Sequence, residues 1–132
     1  MQADLILHFW FTELTPKHHF AKDAALDETI RTRFGATLAA AARCELFAWR
    51  ATPEGRLAEV LVLDQFSRNV YRDTPQAFAQ DALALALAQE LVASGQDRSL
   101  TPEQRKFAYM LAATRTAMPF WGALLALRSW RF

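Results

Sequence analysis

Apolar residues recur at helical spacing in five stretches of the chain, separated by short polar connectors. In residues 3–13, Leu5, Ile6, Phe9 and Trp10 share a stripe, which predicts a short amphipathic helix with His8 at its margin. Residues 24–47 repeat Leu26, Ile30, Phe34, Leu38 and Ala42 every four positions and predict a longer helix. Gly35 lies inside it, tolerated at about 1 kcal/mol relative to alanine, and is expected to admit a close neighbour. Residues 75–94 contain the run DALALALA, where the alternation of Leu83, Leu85 and Leu87 imitates a strand. Helix is nevertheless predicted, because alanine and leucine are strong helix formers and no β-branched residue occurs in the run before Val92. Phe107, Met110, Leu111, Thr114 and Met118 predict a last helix over 102–118, which Pro119 interrupts.

Residues 57–72, LAEVLVLDQFSRNVYR, form the densest stretch, around which the others are expected to pack. At about 100° per residue, Asp64, Gln65, Arg68, Asn69 and Arg72 fall on one side, while Val60, Val62, Leu63, Phe66, Val70 and Tyr71 cover most of the rest. A helix apolar nearly all round is buried, so its charges need partners: an unpaired buried charge costs several kcal/mol. An Asp64–Arg68 pair at i, i+4 is the local solution. Asp81, early in the next helix, is placed either to face Arg68 and Arg72 across a short antiparallel turn or to sit solvated where the helix dipole favours an acid.

Four of the five prolines follow threonine, in Thr15-Pro16, Thr52-Pro53, Thr74-Pro75 and Thr101-Pro102. The last three precede long helix-compatible runs and read as start signals, since the hydroxyl can accept an orphan backbone N–H and proline has none to leave unpaired. Thr101 and Gln104 also have capping-box spacing. Gly95 is a stop signal, and Phe47 and Trp49 are expected to pin the turn before Thr52. The Thr-Pro spacings show no fixed period, so the expected fold is all-α, an antiparallel helical array of about five helices without recognisable repeats.

With 132 residues, 52% apolar and 22% charged, the chain suits one ordered domain over residues 1–132, of which 119–132 form an apolar tail. Fifteen basic and fourteen acidic residues leave a net charge of +1, which provides no strong field for nucleic acid or an anionic membrane surface. Cys44 alone cannot close an intrachain disulfide. Together with the lack of a basic leader or a membrane-length apolar run, this predicts a cytoplasmic protein. The tail, PFWGALLALRSWRF, is expected either to dock on the core or to mediate self-association.

Motifs with a defined chemistry are few. Gly35, Gly55, Gly95 and Gly122 are too scattered for a P-loop or dinucleotide fingerprint, and no GxSxG elbow occurs. His18 and His19 are adjacent in a predicted loop without an HExxH or CxxC, so neither a metal site nor a cofactor is implied.

The segments ILHFWF at 6–11, DETIRTRFG at 27–35, LDQFSRNVYR at 63–72, FAQDALALA at 78–86 and the helix around Phe107 have a further meaning. Together they resemble a bacterial family of uncharacterised proteins, domain of unknown function 924, over roughly residues 4–111. Its most specific element is Asp64-Gln65-Phe66 followed by Arg68-Asn69. The resemblance implies a tetratricopeptide-like array of antiparallel helices around a concave side, and no established activity. Ser67 stands where the family usually has proline, from which a smoother helix through the cluster is expected. Family members usually continue with a Pro-Phe-x-His-Ser-Glu-like segment, which the sequence after Met118 lacks, so a shortened or altered carboxy end is expected.

Three readings of the cluster Asp64, Gln65, Arg68, Asn69, Arg72 and Asp81 follow. In the leading one the chain is a non-catalytic binding or interaction module in which Arg68, Asn69 and Arg72 hold a small anionic ligand or a peptide, arginine being suited to bidentate contact. A second makes Asp64 the general base of a hydrolase-like enzyme beside Arg68, with no nucleophile or metal set accompanying the pair. The third is purely structural, the polar groups tying down helices and loop carbonyls.

Overall fold

The computed structural model describes residues 2–19 and 21–114, among which it contains helices and turns and no strand. Helix α1 (Gln2–His8) runs on as a π-helical turn, Phe9–Glu13, and is followed by the short α2 (Pro16–His19) and the long α3 (Ala24–Ala42). A 3-10 turn, Phe47–Ala51, leads into α4 (Pro53–Leu61), a second π-helical turn, Val62–Phe66, and α5 (Ser67–Val70). Two more 3-10 turns, Pro75–Phe78 and Gln96–Ser99, precede α6 (Asp81–Ala93) and α7 (Pro102–Thr114). Short connectors make successive long helices antiparallel, giving the all-α array that the sequence predicts.

Helix α4 is the centre, as its all-round apolar surface requires. It packs on α1 and α6, with α7 against α6, while α5 and the second π turn lie on α3. Leu57, Leu61, Val62, Leu63 and Phe66 are wholly buried. Phe66 meets Phe9, Trp10 and Phe34 with ring centroids 6.1, 5.9 and 5.3 Å apart, so the two π turns face each other across an aromatic layer. The start signals act as expected at two sites. Thr52 Oγ1 accepts from Gly55 N–H at 3.0 Å, and Thr101 and Gln104 bond reciprocally at 3.1 and 3.2 Å. Among the described residues no helix is long and apolar enough to cross a membrane.

Several local expectations are corrected. The helix predicted over 24–47 stops at Ala42 because Cys44 adopts a left-handed conformation, φ 59°. Cys44 and Glu45 N–H then bond back to Ala41 and Ala40 carbonyls, both at 2.9 Å, which is the Schellman stop normally built on glycine. Near that end Ala41, not Ala42, is the buried position. Leu5 and Phe47 are exposed, so Ile6 and Leu7 take over the first stripe and Trp49 alone packs at the turn. His18 and His19 lie on α2, not in a loop. Residues 75–94 begin as a 3-10 turn and become α-helical at Asp81, and Gly95 supplies the left-handed stop with φ 82°. Ser67 does not give a smooth helix, since it directly follows the π turn. Met118, Pro119 and the tail lie outside the described residues.

Gly35 also differs from expectation. A Cβ built there meets nothing within 4 Å, so no neighbour depends on its small size. Gly35→Ala is therefore expected to stabilise the protein by about 1 kcal/mol, the helix-propensity difference. A urea titration showing destabilisation would contradict this.

Candidate functional site

The second π turn and the early end of α5 decide how the cluster is arranged. The wider winding of the π turn advances each residue by less than an α-helical step, so everything after Phe66 is rotated relative to a straight wheel. That turn separates Asp64 from the residues after it, whereas Arg68 and Arg72 part because α5 ends at Val70 and Tyr71 leaves the helical conformation (φ -112°, ψ 28°), so the single polar face predicted from spacing becomes two ion-pair sites.

At the first site Arg68 Nη1 donates to the Ala77 carbonyl at 2.6 Å and to Asp81 Oδ1 at 2.8 Å, while Nη2 donates to Asp81 Oδ2 at 3.1 Å. Asp64 lies farther from Nη2, at 3.6 Å, and its carboxylate also accepts from Gln65 Nε2. The i, i+4 pair thus exists, but the bidentate partner is Asp81 across the turn. The Arg68 guanidinium also lies 4.5 Å from the centre of the exposed Phe78 ring, a cation–π contact. Asp64 is sealed in the interior, 1% exposed, whereas Arg68 and Asp81 reach the surface in part.

Asp27 of α3 organises the second site. Its carboxylate accepts from Asn69 Nδ2 at 2.8 Å and from Arg72 Nε and Nη2 at 2.7 and 3.0 Å. Arg31, one turn on, donates to the Val70 carbonyl at 2.7 Å. Together these bonds fasten α5 to α3. Of the two alternatives for Asp81, facing the arginines holds for Arg68, whereas Arg72 bonds Asp27 instead. Sequence reasoning missed Asp27 because an acid in a first turn is already accounted for by the helix dipole. Burial raises the Asp27 pKa, but bonds from Arg72 and Asn69 and the Arg72 charge outweigh it, so the net shift is downward. In turn, the bond to Asp27 holds the Arg72 pKa up, against burial.

A depressed folded-state pKa contributes stability above the ordinary carboxylate value, and that contribution is lost as pH falls through the lower folded value. Asp27→Asn is therefore expected to cost about 2 kcal/mol at pH 7, in the range for charge-assisted bonds, and to flatten the stability loss below about pH 4. Denaturation curves from pH 7 to pH 2.5 read both. An unchanged acid limb in the variant would show that Asp27 does not drive it.

Two further buried acids were not singled out. Glu59, wholly buried on α4, accepts from Arg50 Nε and Nη2, both at 2.8 Å. Asp97, also wholly buried, accepts from the Tyr109 hydroxyl. An acid inside an apolar helix was the available signal for Glu59. Among the described residues no group of three or more histidine, cysteine or acidic side chains could hold a metal ion.

Two depressions lined by described residues lie away from these sites. A groove of about 600 Å³ between α2 and α7 is lined by Pro16, His19, Pro102, Glu103, Lys106, Phe107 and Met110. His19 is set there by stacking on Trp10, centroids 4.4 Å apart, and by donating from Nε2 to the Trp10 carbonyl at 2.8 Å. A shallower depression of about 450 Å³ follows Ala25, Glu28, Thr29, Thr32 and Arg33 of α3. No member of the Arg68 and Arg72 sites lines either.

An all-α array with two internal ion-pair sites and a lateral groove is the class of protein that these features define. The chain belongs to the family described as bacterial protein of unknown function (DUF924), whose model matches residues 6–115. It is similar to a solved protein of unknown function from Agrobacterium tumefaciens, with 39% identity and a TM-score of 0.77. That match covers 83% of this chain and 62% of the other, so the chain spans less than two thirds of that protein's length. No curated protein matches it.

Proposed function

We propose that this chain is a non-catalytic helical interaction module whose binding surface is the groove between α2 and α7, and that the Arg68 and Arg72 sites hold the helices in register. The carrying observation is that each guanidinium is engaged bidentately by a carboxylate of the chain itself. Three aspartates surround two arginines, so an incoming anion would have to displace a bonded carboxylate beside a second negative charge. The groove, in contrast, has an apolar floor of Phe107 and Met110 between the prolines Pro16 and Pro102, with Lys106 and Glu103 among its charged residues. That composition suits an amphipathic peptide laid along α7. The tetratricopeptide-like character implied by the family belongs to the same proposal, since paired antiparallel helices leave a side open for such a segment.

Fluorescence anisotropy with a labelled leucine- and alanine-rich amphipathic peptide tests this. Saturable binding is expected, weakened at least about tenfold by Met110→Asp and unaffected by inorganic phosphate, as for loss of one apolar anchor. Binding that phosphate displaces, or that Arg68→Lys abolishes while Met110→Asp leaves it intact, would overturn the proposal in favour of an anion site.

A further inference from the structure

Resting on the reading of the groove as a polypeptide site, we infer that its resident occupant is this chain's own apolar tail, residues 119–132. The groove floor is built by α7 itself, with Phe107 and Met110 near its middle, and the last described residue, Thr114, is one turn beyond Met110. The described chain therefore ends one turn beyond the surface that the tail is to cover.

Reach and charge agree with an antiparallel return along α7. From Glu103 to Met110 the helix advances about 10 Å. From Pro119 to Arg128 the chain can cover up to about 30 Å if extended, so the level of Glu103 is within the reach of Arg128. Residues 119–132 contain two charges, Arg128 and Arg131, and no acid, while Glu103 is the acid of the groove. Phe120, Trp121, Leu124, Leu125 and Leu127 give the tail five large apolar side chains in nine positions. A covalently attached segment also acts at an effective concentration of order millimolar, so it outcompetes a free peptide of equal affinity.

Cross-linking of the full chain tests the occupant. In a Cys44→Ser background, Lys106→Cys paired with Ala123→Cys is oxidised and compared with Arg43→Cys paired with Ala123→Cys, Arg43 being exposed at the end of α3. An intramolecular disulfide forming about tenfold faster for the groove pair is expected. A disulfide-linked dimer would assign the groove to a second copy's tail, and equal rates would assign it to neither; both overturn the inference. In the anisotropy assay Trp121→Asp is expected to tighten the free peptide about fivefold or more by emptying the groove. Peptide binding that depends on Met110 but is unchanged by Trp121→Asp, without the disulfide, would leave the groove reading standing and remove the tail. The disulfide without peptide binding in either the parent or the Trp121→Asp chain would keep the tail in the groove and remove a partner peptide.

Discussion

Replacing Arg50 by alanine is expected to cost about 3–5 kcal/mol, the range for breaking a buried ion pair by removing one partner. In a chain of this size that lowers the melting temperature by roughly 10–20 °C. Glu59 is wholly enclosed on α4, and both bonds to its carboxylate come from the Arg50 guanidinium. The bond to Glu59 is also the largest cause of a raised Arg50 pKa, with burial acting against it. Without Arg50 the carboxylate would keep its full desolvation cost and lose its partner. The pair itself contributes much less than its rupture costs, because both charges were desolvated to make it. The double variant Arg50→Met with Glu59→Leu is therefore expected to lie within about 1 kcal/mol of the parent, as volume-matched apolar replacements of buried pairs often do. Urea denaturation of both single variants and the double variant gives the cycle. A single-variant loss under 1 kcal/mol would mean that water reaches Glu59 in solution.

The same pair shows why some of this molecule was legible in its sequence and some was not. Burial of residues 57–66 followed from an apolar circumference, a local property that needs no knowledge of neighbours. The Thr52 and Thr101 caps were equally local, each bond reaching three residues. Arg50 and Glu59 are nine positions apart across a turn, outside any helical repeat, and Asp27 meets Asn69 and Arg72 across 42 and 45 positions. Such partners are brought together only by tertiary packing, of the Phe47–Ala51 turn on α4 and of α5 on α3. The split between Arg68 and Arg72 was hidden for another reason: α5 ends at Val70, and no glycine or proline marks that end. The early end of α3 was hidden because its left-handed stop is a cysteine, where glycine is the usual signal. Asp81 was legible in part, because an acid early in the helix after the cluster is the nearest carboxylate in sequence that can return to Arg68 across the connection.

Gly55→Ala is expected to destabilise the protein by about 3 kcal/mol or more, at or above the usual range for overpacking. A Cβ at this position would stand 2.0 Å from the Trp49 carbonyl oxygen, 2.9 Å from its carbon and 3.0 Å from Thr52 Oγ1. The first two are backbone atoms, and their freedom is limited. The Trp49 carbonyl accepts from Thr52 N–H at 3.4 Å, and the next residue is Arg50, fixed by Glu59. Alanine's better helix propensity, about 1 kcal/mol, works in the opposite direction and is too small to win. The expected sign is therefore opposite to that of Gly35→Ala, where the same substitution meets open space. Because Gly55 and Arg50 secure one junction between the Phe47–Ala51 turn and α4, their losses should not add. The double variant Gly55→Ala with Arg50→Ala is expected to lose at least about 1 kcal/mol less than the sum of the two single losses, the scale of coupling between contacting residues. Strict additivity in the same denaturation series would show that the turn is held at two independent points.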